Sequence, residues 1–366
     1  MSEEHTNKRP VSVRTAHPTI ATIAAQMGLS RATVTHVLNG RATEQRIKPE
    51  TQERVLKVAH ELGYRANAAA RAVRAGRFGN IALVQPLYGQ YLPDELLRGL
   101  ATAIASRDIR FVLTQAPDRT INDATYLPHT MRELSADGVI INRHLGFSEP
   151  YLAHIHRLGI PAIFLNVKQE FDCVHPDDWN GGRIATELLL QLRHERIAYL
   201  DTDEPENRHY SKHDRRAGYA QAMQDAGKTP QIFLLPQAHP LPGWPGADAR
   251  IEAARLLLTQ EKRPTAILAY EIAEAMAVVH AAHILGIRIP QDLSIVQFHH
   301  RIDLRYFIPI QTVSNAMTEV GTAAVEMLLE KIDHPQTSLP TRVVPVKMLE
   351  GVTCMPPLKE RPVGES

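Results

Sequence analysis

Eight short apolar runs spread between Asn80 and Phe298 limit the fold of this chain more than any other feature. They read "NIALVQP", "RFVLTQ", "DGVIIN", "PAIFLN", "RIAYLD", "QIFLLP", "TAILAY" and "LSIVQF". Each is too short for a helix and apolar at successive positions, as a parallel strand covered on both faces must be. Between them lie helical patterns such as "DELLRGLATAIASR", "GGRIATELLLQL", "RRAGYAQAMQDAG" and "EAMAVVHAAHILG". This alternation predicts doubly wound α/β subdomains with parallel sheets. With 366 residues, two or three domains are expected. A hydrophobic content of 44% against 22% charged residues supports a real core.

Before Asn80 the texture differs. Residues 1–79 hold 13 Lys and Arg against 6 Asp and Glu, whereas the rest holds 28 against 34. A basic head on an acidic body points to a module that binds a polyanion. Three short helices are predicted there. In "TIATIAAQM", Thr19 suits the N-cap, and Ile20, Ile23, Ala24 and Met27 recur on one face. Gly28 ends that helix, and Ser30 caps a second over Arg31 to Asn39, whose buried face is Val34, Val37 and Leu38. Gly40 suits a left-handed stop. A third helix begins near Pro49 and packs Val55, Val58, Ala59 and Leu62. Two short helices about a glycine turn, closed by a third, form the helix-turn-helix plan. Ala24 and Ala25 are expected between the helices, and Ala32 and Thr33 let the second helix enter a groove about 12 Å wide.

"TIATIAAQMGLSRATVTHVLNG", followed by "ETQERVLKVAHELGYRANAAARAVRAG", resembles the head of the lactose-repressor (LacI/GalR) family of bacterial transcription regulators. Val34, Val37, Leu38, Asn39, Glu50, Thr51, Val55, Leu62, Tyr64, Asn67, Ala70 and Arg71 fall on that family's landmarks. The resemblance implies base reading by Arg31, Ala32 and His36, and phosphate contacts by Ser30 and Thr35. It also draws Thr19, Asn39, Asn67 and Arg71 into the DNA-binding surface. Arg31 can offer paired donors to guanine, and Ala32 a methyl to thymine. The segment 66–79 resembles a hinge that folds when two subunits meet over DNA. Val73 stands where the family has a leucine wedge and Ala66 where it has proline, so a shallower kink is expected.

The body is similar to the family's core, itself like a periplasmic sugar-binding protein. The likeness runs through "ADGVIIN", "LGIPAIFLN", "GGRIATELLLQLRHERIAYL", "LGIRIPQDLSIVQF" and "EVGTAAVEMLLEKI". It implies a disordered extension over 1–17, a helix-turn-helix domain over 18–65, the hinge over 66–79, a core over 80–350 and a tail over 351–366. The core would comprise an N-subdomain of about 80–179 and 312–340 and a C-subdomain of about 181–309 and 341–350. Three crossovers near 179–181, 309–312 and 340 would join the two. Ligands of open α/β sheets bind beyond the carboxyl ends of strands. Gln90, Tyr91, Asn142, His144, Asn166, Tyr270, Glu271 and His299 stand there, and Arg215 matches an arginine the family points at its ligand. His299 occupies the place of an aspartate that accepts sugar hydroxyls in relatives. A neutral histidine offers one donor and one acceptor. Together with Arg215 and His144 it would favour a sugar acid or sugar phosphate; the His299–His300 pair could instead merely pack the strand end.

Other chemistry lacks an anchor. No G-x-G-x-x-G follows a strand, and no P-loop, H-E-x-x-H or G-x-S-x-G is present, so neither a cofactor nor catalysis is expected. His280 with His283, and His154 with His156, come without ligands at a metal spacing. Cys173 and Cys354 are far apart, which suits a reducing cytoplasm, and the polar start has no export signal. No apolar run of about 18 residues exists, so no membrane span is expected. Val320, Ala324 and Leu328 read as core or dimer surface, and the tail has no heptads. These observations predict a homodimeric regulator on a near-palindromic operator, controlled by a small molecule. The rival is a solute-binding or transport component sharing the same core.

Overall fold

The computed structural model describes residues 18–64, 77–87, 92–105, 107, 109–121, 123, 125–143, 146–203, 209–236, 246–301 and 308–358. The expected extension over 1–17, the hinge residues 66–76 with Asn67, Arg71 and Val73, and the cleft residues Gln90, Tyr91 and His144 lie outside them. The chain divides into two units, Met1–Phe78 and Gly79–Ser366.

The first unit contains α1 (Ile20–Met27), α2 (Arg31–Leu38) and α3 (Pro49–Glu61). Thr19 and Thr22 form a reciprocal capping box on α1, which Gly28 closes at φ +66°. Ile23, Ala24, Val34, Val37, Val55 and Ala59 build the core. Ala25 does not join them: one residue further round α1, it faces solvent.

In the second unit, the first sheet draws on β1 (Asn80–Pro86), β2 (Arg110–Ala116), β3 (Gly138–Asn142), β4 (Ala162–Leu165), β5 (Cys173–Pro176) and β11 (Arg342–Val344). The second draws on β6 (Ile197–Thr202), β7 (Gln231–Leu235), β8 (Ala266–Ala269), β9 (Ser294–His299), β10 (Gln311–Ser314) and β12 (Met348–Leu349). Their orders are β11-β5-β4-β3-β1-β2 and β12-β10-β9-β8-β6-β7. All neighbours are parallel except β10 and β12. The helices are α4 (Asp94–Ile104), α5 (Asp118–Ile121), α6 (Tyr126–Leu134), α7 (Glu149–Arg157), α8 (Asp178–Gln191), α9 (Tyr210–Asp225), α10 (Gly246–Leu258), α11 (Ile272–Leu285) and α12 (Met317–Asp333).

The unbroken hydrophobicity of the strands has a direct cause. Ile81 and Leu83 face one cluster, under α4 and α12, while Ala82 and Val84 face another with Leu127 and Ile155. Val320, Ala324 and Leu328 are fully buried in the first of these, which makes them core and not dimer surface. Helices α8 and α9 cross at Gly182 and Gly218. A Cβ on Gly218 would lie 1.9 Å from the carbonyl oxygen of Trp179, so no larger residue fits.

Against the expected 179–181, 309–312 and 340, the first crossover falls slightly earlier and the other two fall later. The chain leaves the first sheet at Asp177, leaves the second at Asn315–Ala316, and passes back between β11 and β12 at residues 345–347. The reason is pairing: Gln311–Ser314 aligns with Val296–His299 in the second sheet, and Arg342–Val344 with β5 in the first. The first residues of the expected tail belong to the second lobe. Thr353 is fully buried, its hydroxyl donates to the Ile295 carbonyl at 2.6 Å, and His194 Nε2 bonds the Met355 carbonyl at 3.0 Å. Among the described residues no helix is long and apolar enough to cross a membrane, and no group of His, Cys, Asp or Glu could hold a metal ion.

Candidate functional site

Helix α2 turns Val34 and Val37 inward and leaves Arg31, Ala32 and Asn39 exposed, with Thr35 and His36 half-buried beside them. Three small or flat side chains between a long arginine and a histidine give a face that can lie close to a surface. The Ser30 hydroxyl accepts from Thr33 N–H at 3.0 Å and lies 2.8 Å from the Thr33 hydroxyl. Thr35 donates its proton to the Arg31 carbonyl at 2.7 Å. The Thr35 proton is therefore engaged within the helix, while Ser30 accepts from it as the cap. Thr19 is similarly engaged by Thr22 N–H at 3.2 Å. Gly40, at φ +74°, lets Arg41 N–H reach the His36 carbonyl at 2.9 Å and ends α2 beside an exposed Arg41.

The other candidate residues gather where the strands of the two lobes end. Asn142 is buried at the end of β3, Asn166 follows β4 at φ +55°, Tyr270 and Glu271 follow β8, and His299 closes β9. Arg215 sits among them at 4% exposure, with three of its five donors engaged inside the protein. Nε meets Asp178 at 2.6 Å, one terminal nitrogen meets the Tyr270 carbonyl at 2.9 Å, and the other meets Asn315 Oδ1 at 3.2 Å. The guanidinium is sandwiched between Phe298 at 4.2 Å and Tyr270 at 4.9 Å. Burial works against its charge, yet Asp178, with Tyr270 and Glu271 behind it, holds its pKa above the ordinary arginine range. Arg215 thus binds both the first crossover, beside Asp178, and the second, at Asn315. Its charge is met within the protein by Asp178.

Other buried charges of the second lobe are paired as well. Asp201 meets Lys212 at 3.2 Å and Arg216 at 2.6 Å, and Glu274 meets Arg250 at 3.4 Å. Burial, reinforced by Glu271, pushes the Glu274 carboxyl up to about 7. The Tyr270 phenol is raised mainly by burial and bonds Ser211 at 2.9 Å. Glu271 caps α11 through a reciprocal box with Glu274. His299 and His300 lie 5.1 Å apart, and burial, with repulsion from His299, Arg215 and Arg301, lowers His300 to about 3. His300 is therefore neutral at physiological pH.

Polar contacts cross the cleft. His209 Nε2 and the Asn166 carbonyl lie 3.0 Å apart, Lys168 meets Asp214 at 2.7 Å, and Arg301 meets Glu95 at 2.9 Å. Sequence reasoning missed Asp178, Asn315 and these bridging residues. The Asp178–Arg215 contact spans 37 positions, and no local spacing announces it.

Residues 19–67 match the family described as "Bacterial regulatory proteins, lacI family", and residues 186–354 the "Periplasmic binding protein-like domain". Catabolite control protein A of Priestia megaterium is 25% identical over 89% of this chain and 97% of its own length. The transcriptional regulator CelR of Thermobifida fusca is 28% identical over 90% and 96%. In fold, the chain is similar to a lac repressor dimer bound to operator and the anti-inducer ONPF, with a TM-score of 0.73, 20% identity, and 92% and 99% of the two chains covered. Its relatives are regulators and not enzymes, and neither is this chain an enzyme. A helix-turn-helix head and a periplasmic-binding-protein-like core, joined in the order its relatives share, make this chain a DNA-binding transcriptional regulator of the LacI family.

Proposed function

We propose that the chain is a homodimeric cytoplasmic repressor that binds a near-palindromic operator and answers to a sugar or sugar derivative held between the lobes of its core. The observation that carries the DNA reading is the α2 surface, where Arg31, Ala32 and Asn39 stand exposed opposite a packed Val34–Val37 face. Arg31, Ala32 and His36 read base edges, and Ser30, Thr35 and Thr19, through their hydroxyls, and Asn39, through its amide, hold the backbone. In the hinge, Asn67 and Arg71 contact the DNA and Val73 enters the minor groove.

Dimerisation is supported by the sheet edges. Leu113 on edge strand β2 is 45% exposed, and Ile232 and Leu234 on edge strand β7 are 40% and 50% exposed. Exposed apolar edges call for a partner. The effector occupies the strand ends, where Asn142, Asn166, Tyr270, Glu271 and His299 offer donors and acceptors and Arg215 orders the floor; Gln90, Tyr91 and His144, outside the described residues, are further candidates from the family resemblance. Sugars, sugar acids and sugar phosphates are the compounds to screen by thermal shift.

Selection from a random DNA pool tests the reading. A palindrome protected as one continuous footprint, with affinity falling steeply as salt rises, is the expected result. Enrichment of no sequence, or protection of a lone half-site, would refute it.

A further inference from the structure

The chain enters its core at Gly79, the first residue of the second unit. Strand β1 pairs with β2 from Asn80↔Arg110 and with β3 from Ile81↔Gly138. A strand end of this kind ordinarily frays. Here side chains hold it. The Gly79 N–H donates to Oδ2 of Asp137 at 2.7 Å, and the Gly79 carbonyl accepts from Arg110 N–H at 2.8 Å. The Asn80 side-chain amide donates to the carbonyls of Leu134 and Ser135 at 3.2 and 3.0 Å, closing the end of α6. The Asn80 carbonyl in turn accepts from Asp137 N–H at 2.8 Å. Gly79 holds φ +69° and Ser135 φ +48°, so the two turns that meet here are both left-handed and bring their polar groups face to face.

We propose that Asp137 is a positioning residue for operator binding: its carboxylate fixes the point at which the DNA-binding half of the chain leaves the core. The proposal rests on the DNA reading above. Without the Asp137 acceptor, the Gly79 N–H loses the contact that fixes it, the exit of the chain from the core loosens, and a movement of the first lobe is taken up as slack. A longer, looser connection lowers the effective concentration of one DNA-binding head once the other is seated. It leaves the contact of a single head with arbitrary DNA unchanged. Asp137 thereby separates specific binding by the dimer from non-specific binding by each head.

The test uses the full chain with Asp137→Ala and Asp137→Asn, the latter keeping a carbonyl oxygen where Oδ2 stands. Amide exchange at Gly79, melting of the core, and affinity for a wild-type-selected operator and for a random duplex are measured. Asp137→Ala is expected to speed Gly79 exchange and to weaken operator binding roughly tenfold, while random-duplex affinity stays within about twofold. Asp137→Asn should behave as wild type. Should Asp137→Ala fail to fold, Asn80→Ala removes the companion contacts to Leu134 and Ser135 and should shift exchange and operator affinity in the same direction. Unchanged operator affinity in Asp137→Ala, equal loss on both duplexes, or equal loss in Asp137→Asn would overturn the proposal. A wild type that selects no DNA overturns the DNA reading instead, and Gly79 exchange still decides the clasp.

Discussion

Replacing Asp178 by alanine strands one of the most deeply buried charges in the second unit. Arg215 is 4% exposed and Asp178 2%, and their contact is 2.6 Å. With charge centres about 4 Å apart and an effective dielectric constant of about 20, the attraction is about 4 kcal/mol. Breaking buried pairs from one side costs about 3–5 kcal/mol. Arg215 would keep the Tyr270 carbonyl, Asn315 Oδ1 and two aromatic faces, which places the loss near the lower end, about 3 kcal/mol. For a unit of this size that lowers the melting temperature by about 5 °C. Urea midpoints at constant m measure it directly. The double variant Asp178→Ala with Arg215→Met should recover part of the loss, because no charge then remains unpaired. An Asp178→Ala protein within about 1 kcal/mol of wild type, or strictly additive losses in the double variant, would refute the reasoning.

Four further outcomes are expected. His36→Ala should relax preference at one base pair per half-site by about 1 kcal/mol, read by competition between variant operators, with random-duplex affinity unchanged; equal loss on both returns His36 to an ordinary surface residue. Gly218→Ala places a Cβ against the Trp179 carbonyl and should cost about 3 kcal/mol or leave the core insoluble, so a urea midpoint like wild type's would contradict the close helix crossing. Below pH 6.5 the unfolded chain protonates His300 before the folded one does, so its contribution is whole above 6.5 and falls by about 2 kcal/mol by pH 5. Glu274, raised to about 7, has the opposite sign: its contribution is present below 4.5 and lost as pH rises through 7. His300→Asn should therefore flatten the acid limb of urea midpoints, and Glu274→Gln should raise the midpoint at pH 8.

What could be read ahead of the structure was what local chemistry decides. The caps at Thr19 and Ser30, the stops at Gly28 and Gly40, and the apolar face of Val34 and Val37 each depend on residues within a turn or two of one another. Strands β1, β3 and β4 were legible because apolar cores cover both their faces, and β2 and β7 because their runs stay apolar even where Leu113, Ile232 and Leu234 are exposed at sheet edges. Strands β5 and β10 were not: "CVHP" and "QTVS" bury His175, Gln311, Thr312 and Ser314, polar residues that earn no hydrophobic signal.

The sequence by itself determined the division into a helical basic head and an alternating β/α body, and through a family resemblance it placed the candidate side chains at strand ends. Tertiary structure alone decided what those side chains do. Arg215 is held by a carboxylate 37 positions away and an amide 100 positions away. Asp137 meets Gly79 across 58. Register in the sheets moved two crossovers past their expected places, because β10 and β11 found partners in different lobes. Caps and periodicity are short-range and appear in any window of sequence. The partner of a buried charge is set by which strand ends the folded sheets bring together, and no window contains both.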